Sequence, residues 1–159
     1  MIEQTLVLVK PDGVARGLIG ETIKRFEQRG LKIVGLKMVQ IDKDFSKKHY
    51  ASHIDKNFYK DLEEFITSGP VVAMVIEGVD AIENVRKLCG TTESKSAFPG
   101  TIRGDFSHVS YSHADEKGIA IKNIIHASED TDNAKNEISL WFSIDELNSY
   151  RRNDDGDVI

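Results

Sequence analysis

Continuous apolar runs alternate along this chain with stretches in which apolar residues recur every three or four positions. Residues 5–10, Thr-Leu-Val-Leu-Val-Lys, form a short β-branched run closed by the turn signal Pro11-Asp12-Gly13. Such a run predicts a strand buried on both faces. Leu18, Ile19, Thr22, Ile23 and Phe26 then repeat with helical spacing, and Gly30 supplies a stop. Residues 31–41 read as a second strand with mixed alternation, and short helices are expected near 46–53 and 61–66. Pro70 opens the apolar run 71–76, a third strand that Gly78 ends. Val79, Ile82, Val85 and Cys89 mark another helix. Residues 90–117 show turn chemistry and little period, 119–126 read as a fourth strand, and Ala134, Ile138 and Trp141 mark a last helix. This order is a split β-α-β arrangement, which predicts a ferredoxin-like sheet with helices on one face.

Charged residues interrupt these apolar stripes. Ile82, Val85, Arg86 and Cys89 fall at i, i+3, i+4 and i+7, which places Arg86 on the buried face; the same spacing in Ala134, Glu137, Ile138 and Trp141 turns Glu137 inward. Lys10 ends a buried strand. A charge in such a place must be paired or shifted; otherwise these side chains flank their stripes and reach solvent along their stems. Among five histidines, His126 stands out. It ends the run Ile124-Ile125-His126 and precedes a stretch rich in helix-capping residues. A carboxylate such as Glu137 on one imidazole nitrogen would fix the tautomer and leave the other nitrogen nucleophilic. A core-edge histidine with one satisfied hydrogen bond explains the position equally. His49 and His53, four apart, read as a solvated helix face, because no cysteine or acidic partner stands at ligand spacing.

Composition narrows the function classes. The chain has 21 basic and 26 acidic residues, a net charge of −5, which weighs against a general nucleic-acid binder. A single cysteine, Cys89, cannot pair within the chain and fits a reducing, cytoplasmic setting. The apolar run 6–9 is too short for a signal-peptide core or a membrane span. At 159 residues one domain is expected, with a polar, loosely held tail over about 149–159. The segment 99–105, Pro-Gly-Thr-Ile-Arg-Gly-Asp, suits close backbone approach to phosphate oxygens. No G-x-x-x-x-G-K-[ST] occurs, so any phosphate chemistry must use side-chain cations.

Four segments together carry a family resemblance: Leu8-Val9-Lys10-Pro11-Asp12-Gly13-Val14, Ser68-Gly69-Pro70-Val71-Val72-Ala73-Met74-Val75, Pro99-Gly100-Thr101-Ile102-Arg103-Gly104-Asp105-Phe106, and Asn123-Ile124-Ile125-His126-Ala127-Ser128. In this order they resemble the nucleoside diphosphate kinase family over nearly the whole length. The resemblance implies an α+β ferredoxin-like fold with a four-stranded antiparallel sheet, a homo-oligomer (hexamer favoured), and ping-pong transfer between nucleoside tri- and diphosphates through His126. It further implies that Lys10, Arg86, Thr92 and Arg103 hold phosphates, and that Lys10 and Asn123 contact the ribose. Phe58 would stack on the base, Tyr50 would lie at the phosphate end, and Glu137 would orient His126. Mg²⁺ would ride on substrate phosphates and water without dedicated protein ligands. Four features depart from the family pattern: Glu129 after Ser128, the stretch Thr92-Glu93-Ser94, a longer segment between Phe106 and Asn123, and the C-terminal tail, which leaves hexamer, tetramer or dimer open. An inert ferredoxin-like interaction module and a nucleic-acid-binding sheet are the rival readings.

Overall fold

The computed structural model describes residues 1–153 and 155–158. Its sheet is built from β1 (Ile2–Val9), β2 (Lys32–Val39), β3 (Val71–Val79) and β4 (Ile125–Ala127), in the order β2-β3-β1-β4 with every pair antiparallel. Between and after them lie α1 (Pro11–Ala15), α2 (Ile19–Gln28), α3 (Lys43–His49), α4 (Tyr59–Ile66), α5 (Ala81–Cys89), α6 (Ile102–Phe106), α7 (Tyr111–Lys117), α8 (Thr131–Trp141) and α9 (Asp155–Val158). This is the four-stranded antiparallel α+β architecture that the element order predicts.

The helices cover both faces of the sheet rather than one. Successive strand residues point to opposite faces, and Leu6, Val7, Leu8 and Val9 of β1 are all fully buried. Val7 and Val9 pack with Phe26 of α2, Val85 of α5 and Ile102 of α6. Leu6 and Leu8 pack instead with Tyr50, Ile66 of α4 and Trp141 of α8. The 5–9 part of β1 has no solvent-facing side chain and needs cover on both sides, which the element order alone does not reveal.

The fourth strand is much shorter than the run 119–126 suggests. Ile124 has φ +73°, and Ile125 N–H donates to the Asn123 carbonyl at 2.8 Å, closing a three-residue γ-turn that starts the strand late. A β-branched residue at positive φ costs about 1–3 kcal/mol and persists only where neighbours over-determine it. Here the Asp12 carboxylate accepts from Ile124 N–H at 3.0 Å, and Lys10 N–H donates to the Ile124 carbonyl at 2.8 Å. Gly13 is required beside this turn, because a Cβ there would lie 2.8 Å from Val9 Cγ1 and 3.1 Å from the Ile124 carbonyl oxygen.

Residues 90–117 also hold more order than their composition suggests. Thr101 caps α6 by accepting from Gly104 N–H, and Ser110 caps α7 by accepting from His113 N–H. Short helices of this kind escape periodicity because they offer one turn of pattern. The C-terminal stretch is tied down over 150–152. Tyr150 Oη donates to the Ile33 carbonyl at 2.8 Å, and an Arg152 guanidinium N–H donates to the Leu31 carbonyl at 3.0 Å. The rest of the tail forecast at 154 and 159 lies outside the described residues. Among the described residues no helix is long and apolar enough to cross a membrane.

Candidate active site

Sheet register sets the site. Leu8 of β1 pairs with His126 of β4, so the end of β1, where Lys10 emerges, lies beside the strand that carries the histidine. Asp130 caps α8 by accepting from Asn133 N–H at 2.8 Å, and α8 then returns Glu137 toward β4. Glu137 Oε1 lies 3.0 Å from His126 Nε2, while Ser128 Oγ donates to Glu137 Oε2 at 2.5 Å. An ionised carboxylate only accepts, so Nε2 carries the imidazole proton and Nδ1 keeps its lone pair. Burial pushes the Glu137 carboxyl up, but the hydrogen bond and charge of His126, with Ser128, outweigh it and hold it below its usual range. The side chains of His126 and Glu137 are 24% and 15% exposed, which leaves the imidazole reachable and its partner sheltered.

The cationic side of the site is hydrogen-bonded into the strained turn. Lys10 Nζ donates to Asn123 Oδ1 at 2.6 Å, and Asn123 Nδ2 donates to the Thr92 carbonyl at 2.7 Å. Burial, then the neighbouring Arg103 charge, lowers the Lys10 ammonium from its usual range to about 8. Arg103 on α6 donates to the carbonyls of Asn123, Gly90 and Ile125 at 3.3, 2.7 and 2.6 Å. It therefore holds the turn as well as facing the cleft, with two of its five N–H groups left over. Gly104 permits this packing, since a Cβ there would fall 2.0 Å from the Phe98 carbonyl oxygen.

Arg86 differs from its forecast. Ile82, Val85 and Cys89 are buried, but Arg86 is exposed, because its long stem carries the guanidinium off the apolar stripe. Among the described residues no carboxylate lies within ion-pair distance of it, Glu129 included. It lines a cavity of about 520 Å³ together with Lys10, Thr92, Arg103, Asn123 and His126. A second cavity of about 570 Å³ shares Lys10, Thr92, Asn123 and His126 and extends past Tyr50 and Phe58 to α7. The structure thus gathers all nine forecast residues around one bipartite cleft, Glu137 by way of His126. A wider groove of about 730 Å³ on the outer side of Arg86 is lined by neither a histidine nor a cysteine.

Several contributors went unassigned in the sequence. Ser128 and Asp12 stand inside the quoted motifs, but Ser128 meets Glu137 only because α8 turns back after the cap, and Asp12 meets Ile124 from 112 residues away. Glu93 accepts from Tyr111 N–H at 3.0 Å and from Ser96 Oγ at 2.9 Å, fastening α7 to the loop that bears Thr92. His49 is a correction: it is packed beside His126, ring centroids 5.0 Å apart, and is not on a solvated helix face. No periodicity signals this, since α8 and β4 bring its neighbours from far along the chain. His49, His126 and Glu137 offer donor atoms within 4.8 Å of one another. The hydrogen bond to Glu137 already occupies His126 Nε2, and His49 Nδ1 accepts from Trp141, so the trio is not a ready cage for a hard cation.

Residues 3–147 match the family model described as nucleoside diphosphate kinase. The chain belongs to the nucleoside diphosphate kinase family. Among its relatives, the nucleoside diphosphate kinase of Pyrococcus abyssi is 55% identical over 153 residues, covering 96% of this chain and 92% of the relative. The enzyme of Borreliella burgdorferi is 48% identical over 160 residues, covering 98% and 96%. A solved structure of the Borrelia burgdorferi enzyme, a transition-state mimic with bound vanadate and ADP, superimposes with a TM-score of 0.96 at 47% identity, covering 99% of this chain and 96% of that one. A Halobacterium salinarum member of the family in complex with CDP gives 0.88 at 47% identity, covering 98% and 97%. Similarity at this level over both full lengths makes this a phosphotransferase family member with its ferredoxin-like α+β fold.

Proposed function

We propose that this chain moves the terminal phosphate of a nucleoside triphosphate to a nucleoside diphosphate in two half-reactions through a phosphohistidine on His126 Nδ1, and that residues 1–159 form one domain for this purpose. The observation that carries the reading is the Ser128–Glu137–His126 chain, which commits Nε2 to a proton and frees Nδ1. In the first half-reaction the Nδ1 lone pair attacks the γ-phosphorus. The bond from that phosphorus to the bridging oxygen breaks, and the diphosphate leaves with the electron pair. Glu137 offsets the positive charge that the imidazole then carries. In the second, an acceptor diphosphate oxygen attacks the same phosphorus and Nδ1 leaves.

Lys10, Arg86 and Arg103 supply the positive field that such a transfer needs, and little covalent help is required beyond the nucleophile. Burial favours the neutral phenol of Tyr50, so its hydroxyl remains a donor to phosphoryl oxygens across the working pH range. Thr92 and Asn123 line the bend of the cleft between phosphate and sugar, and Phe58, 53% exposed, offers a ring face to the base. An aromatic platform accepts any base, which supports broad base tolerance. The residues suit a Mg²⁺ that arrives on the nucleotide: the one group of three possible ligands among the described residues, His49, His126 and Glu137, includes a single oxygen-bearing side chain; when bound, the ion would spread the charge of the phosphate oxygens. The exposed Leu36 and Met38 on the edge strand β2, 53% and 56% exposed, support assembly with further copies, a hexamer being the state expected. A cytoplasmic location accords with Cys89, a free, buried thiol that burial pushes up to about 11.

Incubation with γ-labelled ATP and Mg²⁺ tests the mechanism. Acid-labile, alkali-stable label should attach to the protein and chase onto added GDP. Folded protein that takes up no such label is the result expected of an inert interaction module and would sink the reading. Light scattering on the purified protein measures the copy number.

A further inference from the structure

Behind the nucleophile lies a second imidazole that the phosphoryl transfer described above does not use. Trp141 Nε1–H donates to His49 Nδ1 at 3.1 Å. That contact requires a lone pair on Nδ1, so the neutral ring carries its proton on Nε2. His49 Nε2 is shut off from solvent and has no hydrogen-bond partner among the described residues. Burying an unpartnered polar atom is unfavourable, and an apolar side chain of similar size would avoid it. The ring stands edge to face with three aromatic neighbours: His126 at 5.0 Å and 83°, Tyr50 at 4.5 Å and 66°, and Trp141 at 5.4 Å and 89°.

We propose that Trp141 locks His49 as the neutral Nε2–H tautomer, and that His49 so held is a positioning residue that fixes the plane of the His126 imidazole and keeps the space behind it uncharged. Five titratable or charged groups surround His49. His126 lies on β4, Glu137 on α8, Lys10 at the end of β1, and Tyr50 and His53 follow α3. Burial first, then the charge of His126, lowers His49 to about 3, with Lys10 and His53 acting the same way and Glu137 opposing them. The neutrality has a chemical use. A cationic His49 would compete with His126 for the one Glu137 carboxylate and oppose the positive charge that His126 gains when Nδ1 takes a phosphoryl group.

This inference rests on His126 being the phosphorylated residue, so the tests separate the two. Long-range ¹H–¹⁵N spectra of the histidine side chains in the wild-type protein read the tautomer directly. His49 should show a protonated Nε2 and a bare Nδ1 down to about pH 5, well below the usual histidine range; an Nδ1–H form or a cationic ring overturns the proposal without any variant. The second test is the pH profile of phosphohistidine formation in single turnover. Trp141→Phe keeps the ring packing and removes the donor. Its acid limb should move up by roughly one pH unit as His49 becomes able to take a proton, and the rate at alkaline pH should approach that of wild type. In the double variant Trp141→Phe, His49→Phe the limb should return, since no group is left there to protonate. An unmoved limb in Trp141→Phe, or a loss equal at every pH and unrelieved in the double variant, would mean packing alone. Wild-type protein that forms no phosphohistidine would instead remove the underlying mechanism.

Discussion

At the phosphate end of the cleft, Lys10 and Arg103 are buried, and among the described residues their hydrogen bonds go to carbonyl or amide oxygens of the strained turn or its supports. At the base end, Phe58 is 53% exposed and Tyr111 of α7 is 47% exposed, and the wall is a short helix fastened by Glu93. The difference follows from what each end must do. Phosphate chemistry gains from dipoles and cations held in place before the reaction, so rigidity there lowers the barrier. A base needs only a flat apolar surface, and an exposed ring can stack on purines and pyrimidines alike. The turn at Ile124 and the buried charges of Lys10 and Arg103 thus lie at the phosphate end, and the exposed rings of Phe58 and Tyr111 at the other.

The largest effect should come from removing the nucleophile. His126→Ala should lower transfer by on the order of 10⁴-fold or more, as loss of a covalent catalyst commonly does; a variant with substantial turnover would place the chemistry elsewhere. Next come the preorganised cations: Arg103→Ala should reduce kcat by about 10²–10³-fold. It should also lower thermal stability, because the carbonyls of Asn123, Gly90 and Ile125 lose their donor. Steady-state kinetics and melting curves on the same preparation check both halves. Equal loss from Phe58→Ala would erase the contrast between the two ends.

A third prediction concerns pH. Lys10 has its ammonium lowered to about 8, so in the free protein it is charged below that value and neutral above it. The charged form attracts phosphate, so kcat/KM should fall as pH rises through about 8, and nucleotide binding above that pH should take up a proton. The linkage has the opposite sense for folding: a depressed lysine destabilises the folded state when protonated, so its penalty fades as pH rises from about 8 toward the unfolded value. Calorimetry in buffers of different ionisation enthalpy measures the proton uptake.

Smaller effects belong to the base end. Phe58→Ala should raise KM by about 5- to 100-fold, the range expected for one base–aromatic stack, with kcat changed little. Glu93→Ala should be milder still. It releases Tyr111 N–H and Ser96 Oγ and loosens α7, which hydrogen exchange in residues 107–122 would report, with a severalfold rise in KM for all four bases. A large fall in kcat from either change would show that the two ends are coupled.

The chain itself determined the elements whose evidence is local. The apolar runs at 5–9 and 71–76 mark β1 and β3 because a doubly buried strand needs every side chain apolar. Charges within helical stripes singled out Arg86 and Glu137, the end of a buried strand singled out Lys10, and the family motifs assigned His126 its role. Tertiary structure decided what depends on distant partners. Ile124 reads as strand, yet the Asp12 carboxylate and the Lys10 amide N–H hold it at φ +73° and delay β4. Arg86 reads as buried, yet its stem carries the charge out of the stripe. His49 reads as solvated, yet Trp141 and His126, more than seventy residues away, enclose it. Periodicity reports which face of its own element a residue occupies; what stands against that face is set by sheet register and helix return, and those exist only in the folded chain.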